Sequence, residues 1–505
     1  MTDYFMGIDN GGTTTKVCIF DGTGRQVGSA SRSLPLSLPF SGHTERDMEV
    51  LWRANCEAIR EAISGSGIAP GSLRGLASTG HGKGLYLWGR NGKPARPGIV
   101  STDSRATAIV EAWKSDGTAQ KAFEKTCQSV LACQPVALLR WIKENEPGVL
   151  EATQWIFEVK DYIRFRLTGE AFAETTDYSG SSLMNLKEGR FDEELLELFG
   201  IGGLSDRLPP LRGSTEACGN VSAEASEATG LPVGLPVAGG MFDIDACAAA
   251  VDVLDETNVC VIAGTWSINE YVSPKPVLDG SIMMNSLFCV PGYFLVEECS
   301  TTSAGNNEWF TSLFLGEERM AAEAEGVGIY EYAGRLAATV PADGQGIVFL
   351  PYIFGSQYDP RARACFVGME PSTTRAELIR AVYEGIAFGH MVHLEKLLAS
   401  RKTPKAIRLA GGAAKSPLWS QIFADVIGLP VETVEADELG TLGCAMAAAV
   451  AAGFHPDLRT AAARMVRIGR RHKPDSATSA IYAKKLARHK AVSAALSGLW
   501  KDEDP

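Results

Sequence analysis

The stretch GIDNGGTTTKVCIFD, residues 7–21, decides the fold of this 505-residue chain. An apolar strand ends in Asp9, two glycines and three threonines follow, and a second strand begins at Lys16. The pattern predicts a β-hairpin whose turn is too long and too rich in hydroxyl groups for a two-residue connection. Free N–H and O–H groups of such a turn can surround phosphate oxygens, and an acid at the strand end can hold Mg²⁺ beside them. The alternative is an ordinary hairpin with a hydroxylated turn.

Two more glycine-containing turns are predicted later in the chain. Residues 259–270, VCVIAGTWSINE, repeat the order of strand, Gly-Thr turn and strand about half a chain later. Residues 409–417, LAGGAAKSP, join a short apolar strand to a helix that is expected to begin near Ser416. The first two turns are about half a chain apart, and this spacing indicates an internal duplication with a nucleotide held between two halves. The first turn is no Walker A loop, because no Gly-Lys-Ser/Thr follows its glycines.

Length and composition limit the class of protein. A chain of 505 residues predicts two or more domains, and 45% hydrophobic residues are normal for a globular protein. The net charge of −12 argues against nucleic acid or an anionic membrane as the main partner. The N-terminus MTDYFMGID lacks the basic region of a signal peptide. Eleven cysteines without a C-x-x-C pair indicate reduced thiols in a cytoplasmic protein.

Strand, turn and helix signals alternate along the chain, which indicates an α/β fold. Asp47 is the predicted N-cap of a helix that runs to about Ser64, and a further helix is expected from Asp103 to Lys114. The basic stretch 464–490 has a mostly helical pattern, which we interpret as a solvated helical face.

Three segments carry a resemblance to a known family. PVAGGMFD at residues 236–243, GGAAKS at 411–416 and EGIAF at 384–388 resemble motifs of the FGGY carbohydrate kinases, within the actin, hexokinase and Hsp70 superfamily. The resemblance covers nearly the whole chain. It implies two ribonuclease-H-like (actin-like ATPase) domains with an active-site cleft between them. We place the N-terminal domain at residues 1–250 and the C-terminal domain at 251–505.

The resemblance implies ATP and Mg²⁺ as cofactors. Asp9 is the expected metal ligand. The residues expected to contact the nucleotide all lie in or beside the three glycine turns: Gly11, Gly12, Thr13, Thr14, Lys16, Gly264, Thr265, Gly411, Gly412, Ala413 and Ser416.

Asp243 is the expected catalytic base. It matches the family position, follows two glycines and begins a helix of small residues. A helix N-terminus favours an ionised carboxylate, and an aspartate of ordinary pKa, about 3.9, can serve because the proton leaves late in a loose transition state. Such a carboxylate can accept the proton of an attacking hydroxyl during phosphoryl transfer. Asp245 is the competing candidate, and helix capping is the alternative role of Asp243.

Two loops differ from the usual family pattern. Residues 78–84 read STGHGKG where Gly-Gln-Met-His-Gly is common, and residues 101–105 read STDSR where Trp-Asn-Asp is common. Both segments look closest to the L-xylulose kinase branch. The residues expected to contact substrate are His81, Lys83, Asp103, Arg105 and Asp243, with Asp103 as the foremost hydroxyl ligand. Lys83 is expected either to meet a carboxylate on an oxidised sugar or to lie on the rim.

The resemblance therefore implies an ATP-dependent carbohydrate kinase that phosphorylates the terminal hydroxyl of a ketopentose, xylulose and in particular L-xylulose. An alditol kinase, for erythritol or glycerol, and a 3-keto sugar acid kinase are alternatives. The alternative outside enzymes is an actin-fold sensor that binds nucleotide without transfer. The expected partners are the sugar and ATP, with no nucleic acid and no membrane, and a homodimer is one option for the assembly.

Overall fold

The computed structural model describes residues 3–344, 346–356, 359 and 361–500. The chain forms two compact units, and neither is a continuous stretch. Unit 1 consists of residues 1–254, 272–295 and 436–467, and unit 2 of 255–271, 296–435 and 468–505. The domain boundary expected near residue 250 stays a prediction. The compact units follow packing rather than chain order, since two later segments join the N-terminal residues.

The strands of the described chain are short to medium in length. They are β1 Tyr4–Asn10, β2 Thr14–Asp21, β3 Gln26–Ser33, β4 Glu45–Arg46, β5 Leu73–Gly80, β6 Tyr86–Gly89, β7 Gly98–Ile99, β8 Thr153–Phe157, β9 Ala173–Glu174, β10 Met184–Asn185, β11 Arg190–Phe191, β12 Leu211–Arg212, β13 Ala217–Asn220, β14 Pro236–Ala238, β15 Val259–Ala263, β16 Ser267–Ser273, β17 Met284–Leu287, β18 Phe294–Ser300, β19 Val348–Leu350, β20 Cys365–Val367, β21 Ile407–Gly411, β22 Val431–Val434 and β23 Ile468–His472.

The helices alternate with these strands, as the α/β prediction requires. They are α1 Met48–Ser66, α2 Thr107–Ser115, α3 Thr118–Thr126, α4 Pro135–Asn145, α5 Pro147–Ala152, α6 Val159–Thr168, α7 Thr175–Ser179, α8 Glu193–Leu198, α9 Ala223–Thr229, α10 Asp243–Ala250, α11 Gly305–Phe314, α12 Gly316–Glu325, α13 Ile329–Ala338, α14 Arg375–Ala399, α15 Gly412–Lys415, α16 Pro417–Ile427, α17 Leu439–Ala451, α18 Leu458–Met465 and α19 Ser476–Leu496.

Unit 1 is built on a six-stranded sheet in the order β13-β14-β5-β1-β2-β3. The opening hairpin is confirmed, because β1 pairs antiparallel with β2 and Asp9 lies opposite Lys16. On its other side β1 pairs in parallel with β5, which places Thr79 beside Asp9. Helix α17 packs closely on β1: a Cβ at Gly7 would lie 1.9 Å from the carbonyl oxygen of Thr441. Glycine is therefore needed at that strand position.

Unit 2 repeats the hairpin arrangement of unit 1. Strand β15 pairs antiparallel with β16 and in parallel with β21, and β21 pairs in parallel with β22. A hairpin followed by parallel neighbours is the same local topology as β2-β1-β5-β14 of unit 1. This agrees with the predicted internal duplication.

Helix capping and strand pairing explain the remaining boundaries. The predicted N-cap of α1 is confirmed, because the Asp47 carboxylate accepts hydrogen bonds from the N–H groups of Glu49 and Val50, and Gly67 ends the helix in the left-handed region. The stretch 464–490 is only partly helical. Strand β23 lies within it, since its backbone pairs with β22, and that long-range pairing overrides the local pattern.

The described residues contain neither a helix that could span a membrane nor a disulfide bond. Within the described residues, no helix combines the length and the apolar character needed to cross a bilayer. All eleven cysteines are free thiols, as expected from their spacing.

Candidate active site

The first glycine turn joins β1 to β2 through Gly11 and Gly12. The N–H of Gly11 donates to the carbonyl of Thr14 over 2.9 Å, which closes the turn. A Cβ at Gly12 would meet nothing within 4 Å, and the side chain of Thr13 is exposed. The turn therefore leaves an open backbone surface at the end of the sheet, as a phosphate-binding turn requires.

The Asp9 carboxylate lies at the end of β1, close to this turn. Burial raises its pKa to about 6, with Lys16 lowering the pKa and Glu438 raising it. The Lys16 ammonium forms an ion pair with Glu438, 2.9 Å from Oε2. Helix α17 begins beside them, and a Cβ at Gly440 would lie 2.8 Å from Oδ2 of Asp9. Glu438 and Gly440 belong to this site, and the sequence analysis assigned no role to either of them.

Asp243 is the first residue of α10, and it follows a glycine segment that needs the left-handed conformation. Gly240 has φ +76°, and a Cβ would lie 1.9 Å from the carbonyl oxygen of Ser78. The Thr79 hydroxyl donates to the carbonyl of Met241 over 2.7 Å. The N–H of Phe242 donates to the hydroxyl of Thr176 over 2.9 Å. These bonds fix the backbone immediately before Asp243.

The pKa of Asp243 differs from that of an ordinary aspartate. Burial raises it well above its usual value, and the charges of Asp9 and Asp177 raise it further. The ammonium of Lys83 and the N–H of Ile244 lower the pKa, by less than burial raises it. The helix terminus therefore does not offset burial among carboxylates, and Asp243 is not an aspartate of ordinary pKa.

Asp245 occupies a different environment from Asp243. Its side chain is fully buried, and Oδ1 accepts a hydrogen bond from the N–H of Cys289 over 2.9 Å. Asp243 keeps some exposure to solvent. Of the two carboxylates, Asp243 is therefore the accessible one.

The loop after β5 lies against the segment that carries Asp243. A Cβ at Gly82 would lie 2.1 Å from the ring of Phe242, so the two backbones approach closely. Lys83 adopts the left-handed conformation, φ 66°, and its ammonium lies 5.2 Å from the centre of the Phe242 ring. Since Lys83 also lowers the pKa of Asp243, the two charges are near each other. The loop thus places a cation beside the expected base.

His81 is buried on the same loop. One ring nitrogen, Nε2, lies 3.0 Å from the Tyr86 hydroxyl. Burial lowers the pKa of His81 to about 3, and the nearby Arg46 lowers it as well. The imidazole is therefore neutral. Hydrogen bonding with the backbone of Gly82 and Lys83 raises the pKa by less than burial lowers it.

Asp103 and Arg105 are bound to each other. Oδ1 of Asp103 accepts from the backbone N–H and Nε of Arg105, and Oδ2 accepts from Nη2 of Arg105 and from the N–H of Thr44. Both side chains are fully buried, and Arg105 also pairs with Glu45. The hydrogen bond from Thr44 to Asp103 joins residues 59 positions apart in the chain, which indicates a role in holding the loops. The sequence offered no signal for this burial.

The glycine turns of unit 2 contact each other. Gly411 has φ +80°, and a Cβ there would lie 2.5 Å from the carbonyl oxygen of Ala263. That carbonyl belongs to the residue before Gly264, so the two expected nucleotide turns are adjacent. Ala413 is buried in the short helix α15. The Ser416 hydroxyl accepts from the N–H of Trp419 over 3.3 Å, which makes Ser416 the N-cap of α16.

A buried histidine supports the Thr265 turn. His390 Nδ1 lies 3.0 Å from the hydroxyl of Ser267, and Nε2 lies 2.7 Å from that of Ser303. The N–H of Ser303 in turn donates to the carbonyl of Thr265 over 3.1 Å. The partners of His390 come from β16 and from the segment just before α11, so only the folded chain brings them together.

Solved structures and related sequences agree on the class of protein. The ligand-bound xylulose kinase from Lactobacillus acidophilus superposes with a TM-score of 0.88 at 25% identity, covering 99% of both chains. The "L-xylulose/3-keto-L-gulonate kinase" of Escherichia coli (strain K12) is 34% identical over 500 residues, 99% of this chain and 98% of that protein. The "Probable L-xylulose kinase" of Pasteurella multocida (strain Pm70) is 33% identical over 501 residues, 98% of this chain and 100% of that protein.

The fold is thus that of sugar kinases, with two actin-like ATPase domains. The FGGY family matches in both parts: its N-terminal domain over residues 4–250 and its C-terminal domain over residues 259–452. The chain belongs to the FGGY family of carbohydrate kinases. It is accordingly a phosphotransferase that acts on a sugar hydroxyl, and kinases of this family use ATP. The sensor alternative is excluded by this membership.

Proposed function

We propose that this chain transfers the γ-phosphate of ATP to the terminal hydroxyl of a ketopentose, with L-xylulose as the foremost substrate. The observation that carries the proposal is the placement of Asp243 and Lys83 together on unit 1, with Asp9 close enough to raise the pKa of Asp243. Relatives named for L-xylulose, at 33–34% identity over nearly the full chain, support the choice of sugar.

Asp243 is proposed as the general base. Its carboxylate accepts the proton of the attacking hydroxyl, while the anchored backbone before it fixes the direction of approach. The raised pKa makes Asp243 a stronger proton acceptor than an ordinary aspartate once it is ionised. Lys83 lowers that pKa and so favours the ionised form that a base requires.

Asp9 is proposed to hold Mg²⁺, which supplies charge neutralisation on the transferred phosphate when bound. The residues fit the ion: among the described residues no hydrogen bond is made to the Asp9 carboxylate, and a second carboxylate, Asp243, interacts with it electrostatically. No described group of three or more acidic, histidine or cysteine side chains forms a metal cage. Mg²⁺ commonly keeps several waters and uses one or two carboxylates plus phosphate, which suits this arrangement.

The nucleotide contacts are proposed separately on the two units. In unit 1 the open turn Gly11–Thr14 is proposed to bind phosphate oxygens, and Lys16 supports it through its ion pair with Glu438. In unit 2 the Gly264-Thr265 turn is proposed for phosphate. Residues Gly411 to Ala413 are proposed for the adenosine, with Ser416 as the helix cap behind them.

The sugar contacts are proposed on the loop 81–84. Neutral His81, which lies 3.0 Å from the Tyr86 hydroxyl, is proposed to exchange hydrogen bonds with a sugar hydroxyl through its imidazole. Asp103 and Arg105 are proposed to hold the neighbouring loop in place, because their polar atoms are largely engaged with each other, Thr44 and Glu45.

A 3-keto sugar acid is the second candidate substrate. The ammonium of Lys83 near Asp243 could pair with a substrate carboxylate, and the relative from Escherichia coli is named for such an acid as well as for L-xylulose.

A coupled assay with ATP and Mg²⁺ tests the proposal over L-xylulose, D-xylulose, a 3-keto sugar acid, erythritol and glycerol. We expect the highest kcat/KM for L-xylulose, because glycerol and D-xylulose would leave buried polar groups unpaired. A clear preference for erythritol would move the assignment to an alditol kinase. We further propose a cytoplasmic location, which eleven free thiols support. The homodimer stays a prediction that light scattering can test.

A further inference from the structure

Arg46 is a buried guanidinium at the phosphate turn that the assigned chemistry does not use. Only 1% of the residue is exposed. Within the described residues it forms no ion pair with a carboxylate, and its Nε has no hydrogen-bond partner. A buried charge without a counter-ion is costly, so a specific role is expected.

The strand that carries Arg46 separates it from the nearby acids. Successive side chains of a strand point to opposite faces. Glu45, its neighbour in β4, pairs with Arg96 and Arg105. Arg46 donates instead from Nη1 to the carbonyl of Gly11 over 3.3 Å and from Nη2 to the carbonyl of Gly12.

These two bonds orient the phosphate turn. In a trans peptide the C=O and the following N–H point in opposite directions. A guanidinium that holds the carbonyls of Gly11 and Gly12 therefore turns the N–H groups of Gly12 and Thr13 away from itself. Those N–H groups are the ones that the turn offers to phosphate oxygens.

The guanidinium of Arg46 also lies near the loop 81–84, which is the proposed sugar loop. Arg46 interacts with the hydroxyl of Tyr86, and that hydroxyl lies 3.0 Å from Nε2 of His81. Tyr86 is held in place by packing, since a Cβ at Gly98 would lie 2.5 Å from its ring and Gly98 is the strand partner of Arg46. Arg46, Tyr86 and His81 are therefore neighbours, and together they connect Gly12 to the loop 81–84.

We propose that Arg46 is a positioning residue that orients the Gly11–Gly12 turn for the nucleotide phosphates and couples it, through Tyr86 and His81, to the sugar loop. The inference rests on the proposed function, because it takes residues 11–14 to be the phosphate site and residues 81–84 to be the sugar site. It adds a mechanism by which sugar binding increases nucleotide affinity within unit 1.

The test measures the Kd of a non-hydrolysable ATP analogue with Mg²⁺, with and without saturating L-xylulose, by isothermal titration calorimetry. Arg46→Gln should raise the Kd about 10- to 100-fold without sugar, as expected for lost hydrogen bonds to a charged group. Arg46→Lys should lie between Arg46→Gln and the wild type, because it keeps the charge but not the fork of donors. Tyr86→Phe keeps the turn contacts, so its Kd without sugar should change less than about twofold while the sugar-induced tightening disappears.

Arg96→Gln is the matched control, since it also removes a largely buried arginine next to Glu45 but does not touch the turn. An equal loss of nucleotide affinity in Arg96→Gln and Arg46→Gln would overturn the proposal, as would an unchanged Kd in Arg46→Gln. A full sugar effect in Tyr86→Phe, or no sugar effect in the wild type, would overturn the coupling. The Kd measured without sugar tests the role of Arg46 even if the substrate screen identifies another sugar. The role of Arg46 and the proposed substrate can therefore fail separately. If the screen identifies another sugar, the coupling is measured with that sugar.

Discussion

At the scale of single residues, two carboxylates two positions apart in α10 have different surroundings. Asp245 is fully buried and bonded to the backbone of Cys289, whereas Asp243 is partly exposed and lies near Lys83 and Asp9. The difference follows from the helix, since residues i and i+2 point about 200° apart. Position on the helix therefore decides which of the two can meet a substrate hydroxyl.

Asp243→Asn should lower kcat about 10²- to 10⁴-fold while the Kd for nucleotide stays near the wild-type value. The amide keeps the shape of the side chain and loses the proton acceptor. Steady-state kinetics and calorimetry on the purified variant provide both values. Asp245→Asn is the control, and a larger loss of kcat in that variant would transfer the role of base to Asp245.

Lys83→Gln should discriminate between the substrate classes. Removal of the ammonium should lower kcat/KM for a 3-keto sugar acid about tenfold or more, because a charge-assisted bond is lost, and lower that for L-xylulose about threefold or less. The measurement is a pair of kcat/KM values for each variant, with the exposed Lys93→Gln as control. Equal losses for both sugars would place Lys83 in general support of Asp243 rather than in recognition of a carboxylate.

At the scale of elements, helix α17 confines the expected metal site. Its second residue, Gly440, faces the Asp9 carboxylate so closely that a methyl group would have to displace it. Gly440→Ala should therefore raise the Mg²⁺ concentration for half-maximal activity about tenfold, the size of effect usual for residues behind a metal ligand. A titration of activity against Mg²⁺ measures it.

The control for Gly440→Ala is Gly65→Ala in helix α1, where a Cβ would meet nothing within 4 Å. Since alanine favours helices, this variant should be neutral or slightly more stable and should keep the Mg²⁺ response. An unchanged Mg²⁺ response in Gly440→Ala would contradict the placement of the metal at Asp9.

Helix α14 gives unit 2 a pH-sensitive contact. Burial lowers the pKa of His390 from 6.5 to about 3, with His393 lowering it further. A histidine whose pKa is depressed on folding stabilises the protein above its unfolded pKa, and this contribution is lost as the pH falls below it. His390→Gln should lower the Tm at pH 7.5, and the gap to the wild type should narrow between pH 6.5 and pH 5. Thermal unfolding over this range checks it, and a gap that widens toward low pH would contradict a neutral buried imidazole.

The sequence predicts the helices and strands better than it predicts which side chains become buried against each other. The hairpin at Asp9, the N-cap Asp47 and the helix at Asp243 follow from local chemistry, because turn glycines, caps and alternating apolar residues are read within a few positions. The burial of Asp103 and of Arg46 depends on loops that meet only in the folded chain. Strand β4 has two residues and therefore no periodic pattern that could be recognised in advance. Electrostatic effects such as the raised pKa of Asp243 depend on the same long-range packing.

At the scale of the whole molecule, the two compact units are assembled from interleaved segments. Residues 436–467, late in the chain, provide Glu438 and Gly440 beside Asp9 in unit 1. The expected metal site therefore needs residues from the start of the chain and from the segment 436–467. A chain that ends before residue 436 should lose activity even though Asp9 and Asp243 are present.

We propose that this FGGY kinase uses Asp243 to phosphorylate a ketopentose. The most direct measurement is ³¹P NMR of the product formed from ATP, Mg²⁺ and L-xylulose by the wild type and by Asp243→Asn, with D-xylulose and glycerol as competing substrates. We expect a sugar phosphate on the terminal carbon of L-xylulose, formed fastest among the three by the wild type and at least about a hundredfold more slowly by the variant. Equal rates for the three substrates, or an Asp243→Asn variant as fast as the wild type, would contradict it.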